Sequence, residues 1–322
     1  IIVPAYEYYV AEVGELNAAM TDFKSEPTMS SLEDLRGAWL DAYLAFQEVS
    51  MFEIGPAESL GFRNFTNIYP TNTTEIDNYV ASGQYNLELP SSMDAQGFPA
   101  LDYLLYGVAE SDAEILTALQ AQNHMAYLEA LVTRLNDLGT NVLNEWQNSY
   151  RDTFVSNSGS TATSSVNKMT NDFMFYYEKA LRAGKIGIPA GVFSGTPLSD
   201  RVEGLYSRQF SKLLFITALD ATIEFFEGEH FESETKGESF ATYLRYFDTG
   251  DGENLADNIL AQFETVESTA ASLNDDFFNQ VETANADMLE IYDQLQENVI
   301  LMKVDMFQRL NIGIDYVDAD GD

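Results

Sequence analysis

The sequence predicts an all-α protein built as two packed helical bundles. Apolar residues recur at spacings of three and four along most of the 322 residues, the period of one helix face. Strand-like alternation is scarce. One low-complexity stretch, "SNSGSTATSS" at 156–165, divides the chain near its middle and reads as an exposed linker. Each half then holds several long amphipathic helices, and two up-and-down bundles side by side are the economical arrangement. The expected boundaries are residues 1–155 for the first bundle, 156–166 for the linker and 167–322 for the second bundle. Two similar halves point to an internal duplication, without a residue-level repeat to carry it.

The opening "IIVPAYEYYV" looks like the inside of a helix and lacks the basic start and cleavage site of a signal peptide, so further residues upstream are expected. In "SLEDLRGAWLDAYLAFQEVSMF", Leu32, Leu35, Trp39, Tyr43 and Phe46 share one face, and Trp39 is expected in the core. Ser31 with Asp34 suggests the N-cap box of that helix. "EIGPAESLGFRNFTNIYPTNTTEID" follows, rich in glycine, proline and side-chain amides, and reads as a long functional connection. "GFPALDYLLYG", residues 97–107, is a helix start: Pro99 suits the first turn and Asp102 meets the positive end of the helix dipole.

"AEILTALQAQNHMAYLEALVTRLNDLGTNVLNEWQNSYRDTF" carries one long helical pattern, with His124 on a mixed face. "GKIGIPAGVFSGTPLSDRVE" is a second Gly/Pro-rich connection. "DRVEGLYSRQFSKLLFITALDATIEFFEG" resumes the helical period and stops at Gly228. "NLADNILAQFETVESTAASL" and "ADMLEIYDQLQENVILMKVDMFQRL" complete the helices.

With 16 basic and 52 acidic residues the formal charge is −36. Nucleic acid and anionic membrane surfaces would be repelled, and a surface of this kind keeps a protein soluble in salt. No apolar run spans a bilayer; "LLFITALDA" is broken by Thr217 and Asp220. Cysteine is absent, which excludes disulfides, iron–sulfur clusters and thiolate sites. The two histidines, His124 and His230, leave any metal site to oxygen ligands, which suit hard cations such as calcium or ferric iron.

The densest polar group in the second half is Arg201, Glu203, Tyr206, Ser207, Arg208 and Ser211. The reading places it at a helix start after a glycine-rich loop, where free N–H groups and two arginines would hold a carboxylate or sugar acid, or brace the seam between bundles. No Ser-His-Asp order is recognisable. "DTGDGEN" at 248–254 and the terminal "DADGD" have the start of a calcium loop without its distal glutamate. His230, within "GEHFESETKGE", reads as part of an exposed acidic loop.

The ordered set of segments resembles the imelysin-like family, also called peptidase M75 or iron-regulated protein A-like. "AWLDAYLAFQEVSMFEIGP" resembles the family's tryptophan helix and Gly-Pro turn. "IYP" resembles its aromatic-proline loop, and "KIGIPAGVFSGTPLSDRVEGLYSRQFSKLL" its glycine-rich loop and serine-bearing helix. "NIGIDYVDADGD" is similar to its close. "GFPALDYLLYG" sits where the family has Gly-x-His-x-x-Glu, so Pro99 and Asp102 replace the pair proposed to bind metal. The resemblance implies two helical bundles with a site in the groove between them. It also implies a bacterial envelope location, periplasmic or on the outer surface, with a lipid anchor in the precursor, and a link to iron uptake. The expected ligand-binding residues are Gly97, Pro99, Asp102, Tyr103, Arg201, Glu203, Ser207, Arg208 and Ser211, with Asp102 as the one weak metal ligand. The expected function is non-catalytic capture of a ligand, assisting uptake of iron, haem or another divalent or trivalent cation. Expected partners are iron-uptake components or a small anionic ligand. The rival readings are an M75-type metallopeptidase and a surface glycan- or protein-binding module.

Overall fold

The computed structural model describes residues 1–159, 161–247 and 254–316. Helix α1 (Ile2–Ser25) buries Tyr6, Tyr9, Val13, Leu16, Met20 and Phe23, the stripe that a 3–4 spacing creates. Helix α2 (Met29–Val49) packs along it and buries Leu32, Leu35, Trp39, Tyr43 and Phe46. Its cap lies earlier than the sequence suggested. Thr28 is the N-cap and accepts from the Ser31 N–H at 3.2 Å, while Ser31 Oγ accepts from the Thr28 N–H at 3.0 Å. Ser31 is therefore the third helical residue of the box, and a serine hydroxyl reaches back where a longer glutamate usually does.

The first Gly/Pro-rich connection is mostly short helix: α3 (Pro56–Leu60), α4 (Phe62–Thr66) and α5 (Thr73–Ser82). Helix α6 (Gly97–Asp102) runs into a π-helical turn at Tyr103–Gly107. The long pattern after it is broken into α7 (Asp112–Leu119), α8 (Gln122–Glu145), a π turn at Trp146–Tyr150 and α9 (Arg151–Ser156). Helix α8 closes a group with α1 and receives α3, α5 and α6 on its flank.

In the second half, α10 (Ser165–Phe175) continues into a π-helical segment at Tyr176–Gly187 and then α11 (Ile188–Ala190). Residues 201–210 do not form the helix start that the sequence suggested. They are turns, with Arg208 at φ +58°, and α12 (Ser211–Glu227) begins only at Ser211. Helices α13 (Phe240–Phe247), α14 (Leu255–Ala270), α15 (Phe277–Val299) and α16 (Phe307–Leu310) follow, α15 being kinked at Ala284. Among the described residues there is no strand, and Glu229 and Lys236 make one isolated bridge.

Helices α14 and α15 pack with the Tyr176–Gly187 segment, and α12 reaches across to α2. The apolar core runs unbroken through both halves. Trp39 is fully buried in it, its indole N–H donating to the Phe98 carbonyl at 3.3 Å. The "DTGDGEN" turn, apart from Asn254, and "DADGD" lie outside the described residues.

Candidate functional site

"GFPALDYLLYG" forms a buried clamp. All six residues of α6 are buried. Phe98 stacks on Tyr43, with ring centroids 4.5 Å apart and planes 6° from parallel. Asp102 Oδ2 accepts from the Tyr206 N–H and Oδ1 from the Ser207 N–H, both at 2.9 Å. One carboxylate thus ties α6 to a chain segment some hundred residues away. Burial pushes the Asp102 carboxyl up to about 6, against the pull of these donors. The closing glycines have steric causes. Gly97 has φ +78°, and a Cβ there would stand 2.1 Å from the Thr66 carbonyl oxygen. A Cβ on Gly107 would stand 2.1 Å from the Tyr206 ring. That ring also lies 5.1 Å from Tyr103, whose hydroxyl donates to Asp77 at 3.0 Å.

Beside the clamp lies a buried ionic network. Glu203 is 3% exposed and pairs with Lys185, which is 4% exposed. Its Oε1 accepts from Asn67 Nδ2 at 2.7 Å and Gln47 Nε2 at 3.3 Å, and lies 3.0 Å from the Tyr43 hydroxyl. Lys185 Nζ also donates to Gln47 Oε1 at 2.9 Å. Burial pulls the Lys185 ammonium down, and Glu203 opposes it. The turns at 201–210 and the π-helical segment are thereby fastened to α2 and the α4 end, so Glu203 serves the seam from the second half as Asp102 serves it from the first.

Outside this network opens a pocket of about 330 Å³ between the halves, within the ~300–1,000 Å³ range of small-molecule sites. Phe46, Ile68, Tyr69, Pro70, Tyr176 and Ile188 give it an apolar wall. Gln47, Ser50 and Asn67 contribute neutral polar groups, and Arg63, Lys179, Lys185 and Arg201 contribute the charge. Four of the chain's 16 basic residues line this one cavity, and no carboxylate is in the lining. Arg63 is held by the Ser50 carbonyl at 2.7 Å and Asp172 at 3.3 Å, with its guanidinium 5.4 Å from the Tyr176 ring. Ser50 Oγ donates to the Tyr176 hydroxyl at 3.0 Å. Arg201 has a 47% exposed side chain and lies 3.7 Å from Asp200.

The sequence-predicted residues divide between these settings. Arg201 lines the pocket, and Glu203 lies behind it. Gly97, Pro99, Asp102, Tyr103 and Ser207 belong to the clamp. Arg208 stacks 3.6 Å over Phe278 and lies 3.8 Å from Asp276, while Ser211 donates to the Arg208 carbonyl at 3.2 Å. The N–H groups of Tyr206 and Ser207, expected to face a ligand, are taken by Asp102. Residues that the sequence reading passed over are Tyr43, Gln47, Arg63, Asn67, Lys179 and Lys185. The available signal was the scarcity of cations: Arg63 and Lys185 fall inside the two Gly/Pro-rich connections. His230 is exposed in its turn, as the acidic run suggested.

The clamp does not fit a bound metal. Pro99 has no ligand atom, and both Asp102 oxygens already accept backbone N–H groups. Among the described residues no group of three or more His, Asp or Glu is arranged to hold an ion.

An all-helical chain whose two halves meet over a clamp helix and a polar pocket defines the class. Residues 2–302 match the imelysin family, also designated peptidase M75, and the chain belongs to that family. It is 28% identical over 137 residues to the iron-regulated protein A of Synechococcus elongatus, a match covering 42% of this chain and 37% of that protein. An imelysin-like protein from Psychrobacter arcticum has the same fold: TM-score 0.77 at 16% identity, over 98% of this chain and 93% of the other. A protein described as an iron-regulated protein A precursor from Parabacteroides distasonis superposes with TM-score 0.76 at 16% identity, over 94% and 91% of the two chains.

Proposed function

We propose that this imelysin-family chain is a non-catalytic envelope protein that captures a small ligand between its halves and assists iron uptake. The observation that carries the reading is the pocket: four cationic side chains converge on one cavity of a chain with formal charge −36. Lys185 and Arg63 also brace the seam through Glu203 and Asp172, and a ligand with negative charge, such as a ferric ion held by an acidic chelator, would use the same cationic lining. The similarity to an iron-regulated protein A supports the link to iron. The Parabacteroides relative is described as a precursor, in keeping with a processed, envelope-located protein. Among the described residues no helix is long and apolar enough to cross a membrane. Pro99 in the place of the family histidine argues against metallopeptidase chemistry.

The test is calorimetric titration of the purified chain with ferric citrate, beside incubation with unfolded peptides with and without zinc. Saturable chelate binding without chelator-sensitive cleavage is expected. Cleavage that needs zinc and is lost in Asp102→Ala would overturn the non-catalytic reading. Absence of any chelate binding would overturn the link to iron.

A further inference from the structure

Resting on that pocket as the binding site, we infer that its ligand class is a small anion with a flat apolar body, an aryl carboxylate. The lining has two chemically distinct parts. Tyr69 brings the accessible ring, while Phe46 and Tyr176 are 0% and 1% exposed, and Ile68, Pro70 and Ile188 extend the same apolar wall. Such a wall favours a hydrocarbon body, and rings favour a flat one through stacked or edge contacts. Opposite chemistry comes from Lys185 and Arg201, with Arg63 and Lys179 completing a cationic rim. A guanidinium offers a carboxylate two parallel N–H donors. A bare inorganic anion would satisfy the rim and waste the apolar wall; an uncharged aromatic would do the reverse. The volume of about 330 Å³ holds a single substituted ring with room for a few ordered waters.

Two of the rim cations have their counter-charge outside the cavity lining. Glu203 lies behind Lys185 and is 3% exposed, so the internal counter-charge is in the protein rather than in the cavity. Arg63 is likewise anchored from behind, by Ser50 and Asp172. Pinned cations lose little freedom when a ligand arrives, which favours binding.

The experiment is calorimetry at low ionic strength with benzoate, salicylate, benzamide and inorganic phosphate. Benzoate and salicylate are expected to bind, with benzamide and phosphate each weaker by about tenfold or more, the worth of one charge-assisted contact or one buried ring face. Ile188→Glu places a negative charge in the apolar wall at a residue already 40% exposed. It should abolish aryl carboxylate binding with an unchanged melting temperature, and Arg201→Ala should weaken it by about tenfold. Equal binding of phosphate or benzamide, no binding of any aryl carboxylate, or unchanged affinity in Ile188→Glu would overturn the inference. Aryl carboxylates that bind when ferric chelates do not would leave this ligand class standing and remove the link to iron. Ferric chelates that bind when aryl carboxylates do not would do the opposite.

Discussion

At Asp102 a single carboxylate does the work of two hydrogen-bond acceptors for a distant loop. Its partners are the N–H groups of the half-buried Tyr206 and the buried Ser207. Asp102→Ala therefore leaves two donors unpaired and should cost about 2–4 kcal/mol of unfolding free energy, read from the midpoint of a urea transition with unchanged slope. A loss below ~0.5 kcal/mol, the usual scale of surface changes, would show that α6 is not a clamp. The sequence made a short helix at this motif legible, but the helix opens at Gly97, two residues before Pro99, and Asp102 ends it, so the expected acidic first turn at the positive end of the dipole is absent. It could not make the partners of Asp102 legible, because they lie a hundred residues away and are backbone groups with no side-chain signature. The two glycines of the motif are similar: their need comes from Thr66 and Tyr206, which only the folded chain brings near.

At the scale of elements, the seam between α2 and α12 stores an acidic strain. Burial pushes Glu48 of α2 up to about 8, helped by Glu224 and Asp220 of α12. Asp220 is itself raised to about 6 by burial and by Glu267 and Glu224. A carboxyl whose folded pKa is raised binds its proton more tightly in the folded state. Its contribution is thus fully present below the ordinary glutamate value, and it is lost as pH rises from there through about 8. Glu48→Gln should leave the melting temperature nearly unchanged at pH 4–5 and raise it at pH 8–9; parallel melting curves for the two proteins across that range would contradict the assignment. Long helices with 3–4 apolar spacing were legible because burial follows the period directly. The failures came where periodicity continues through a break. Residues 201–210 keep helical spacing, yet Arg208 takes φ +58° and the chain turns to present Glu203 and two backbone N–H groups to the other half. The capping box moved by three residues for a related reason, since Thr28 and Ser31 satisfy each other and Asp34 is not needed.

Across the whole molecule, charge is distributed against its average. The chain carries 52 acidic residues and 16 basic ones, and four of the basic ones meet at the pocket between the halves. Net charge was legible and spoke against nucleic acid; the local reversal was not, because Arg63 lies more than a hundred residues from Lys179, Lys185 and Arg201 and meets them only when α4, the π-helical segment and the loop before α12 pack. The expectation of a ligand near the Pro99 helix rested on the resemblance and on free N–H groups at two Gly/Pro-rich helix starts. The geometry divides that region into a clamp, where polar groups satisfy one another, and a pocket, where cations face a cavity. The central claim is that the pocket, and not the clamp, receives the ligand. The most direct measurement is a crystal structure of the chain grown with saturating salicylate. The account predicts the carboxylate beside Lys185 and Arg201 and the ring against Tyr69; a ligand seated instead at Asp102, or an empty pocket at saturation, would contradict it.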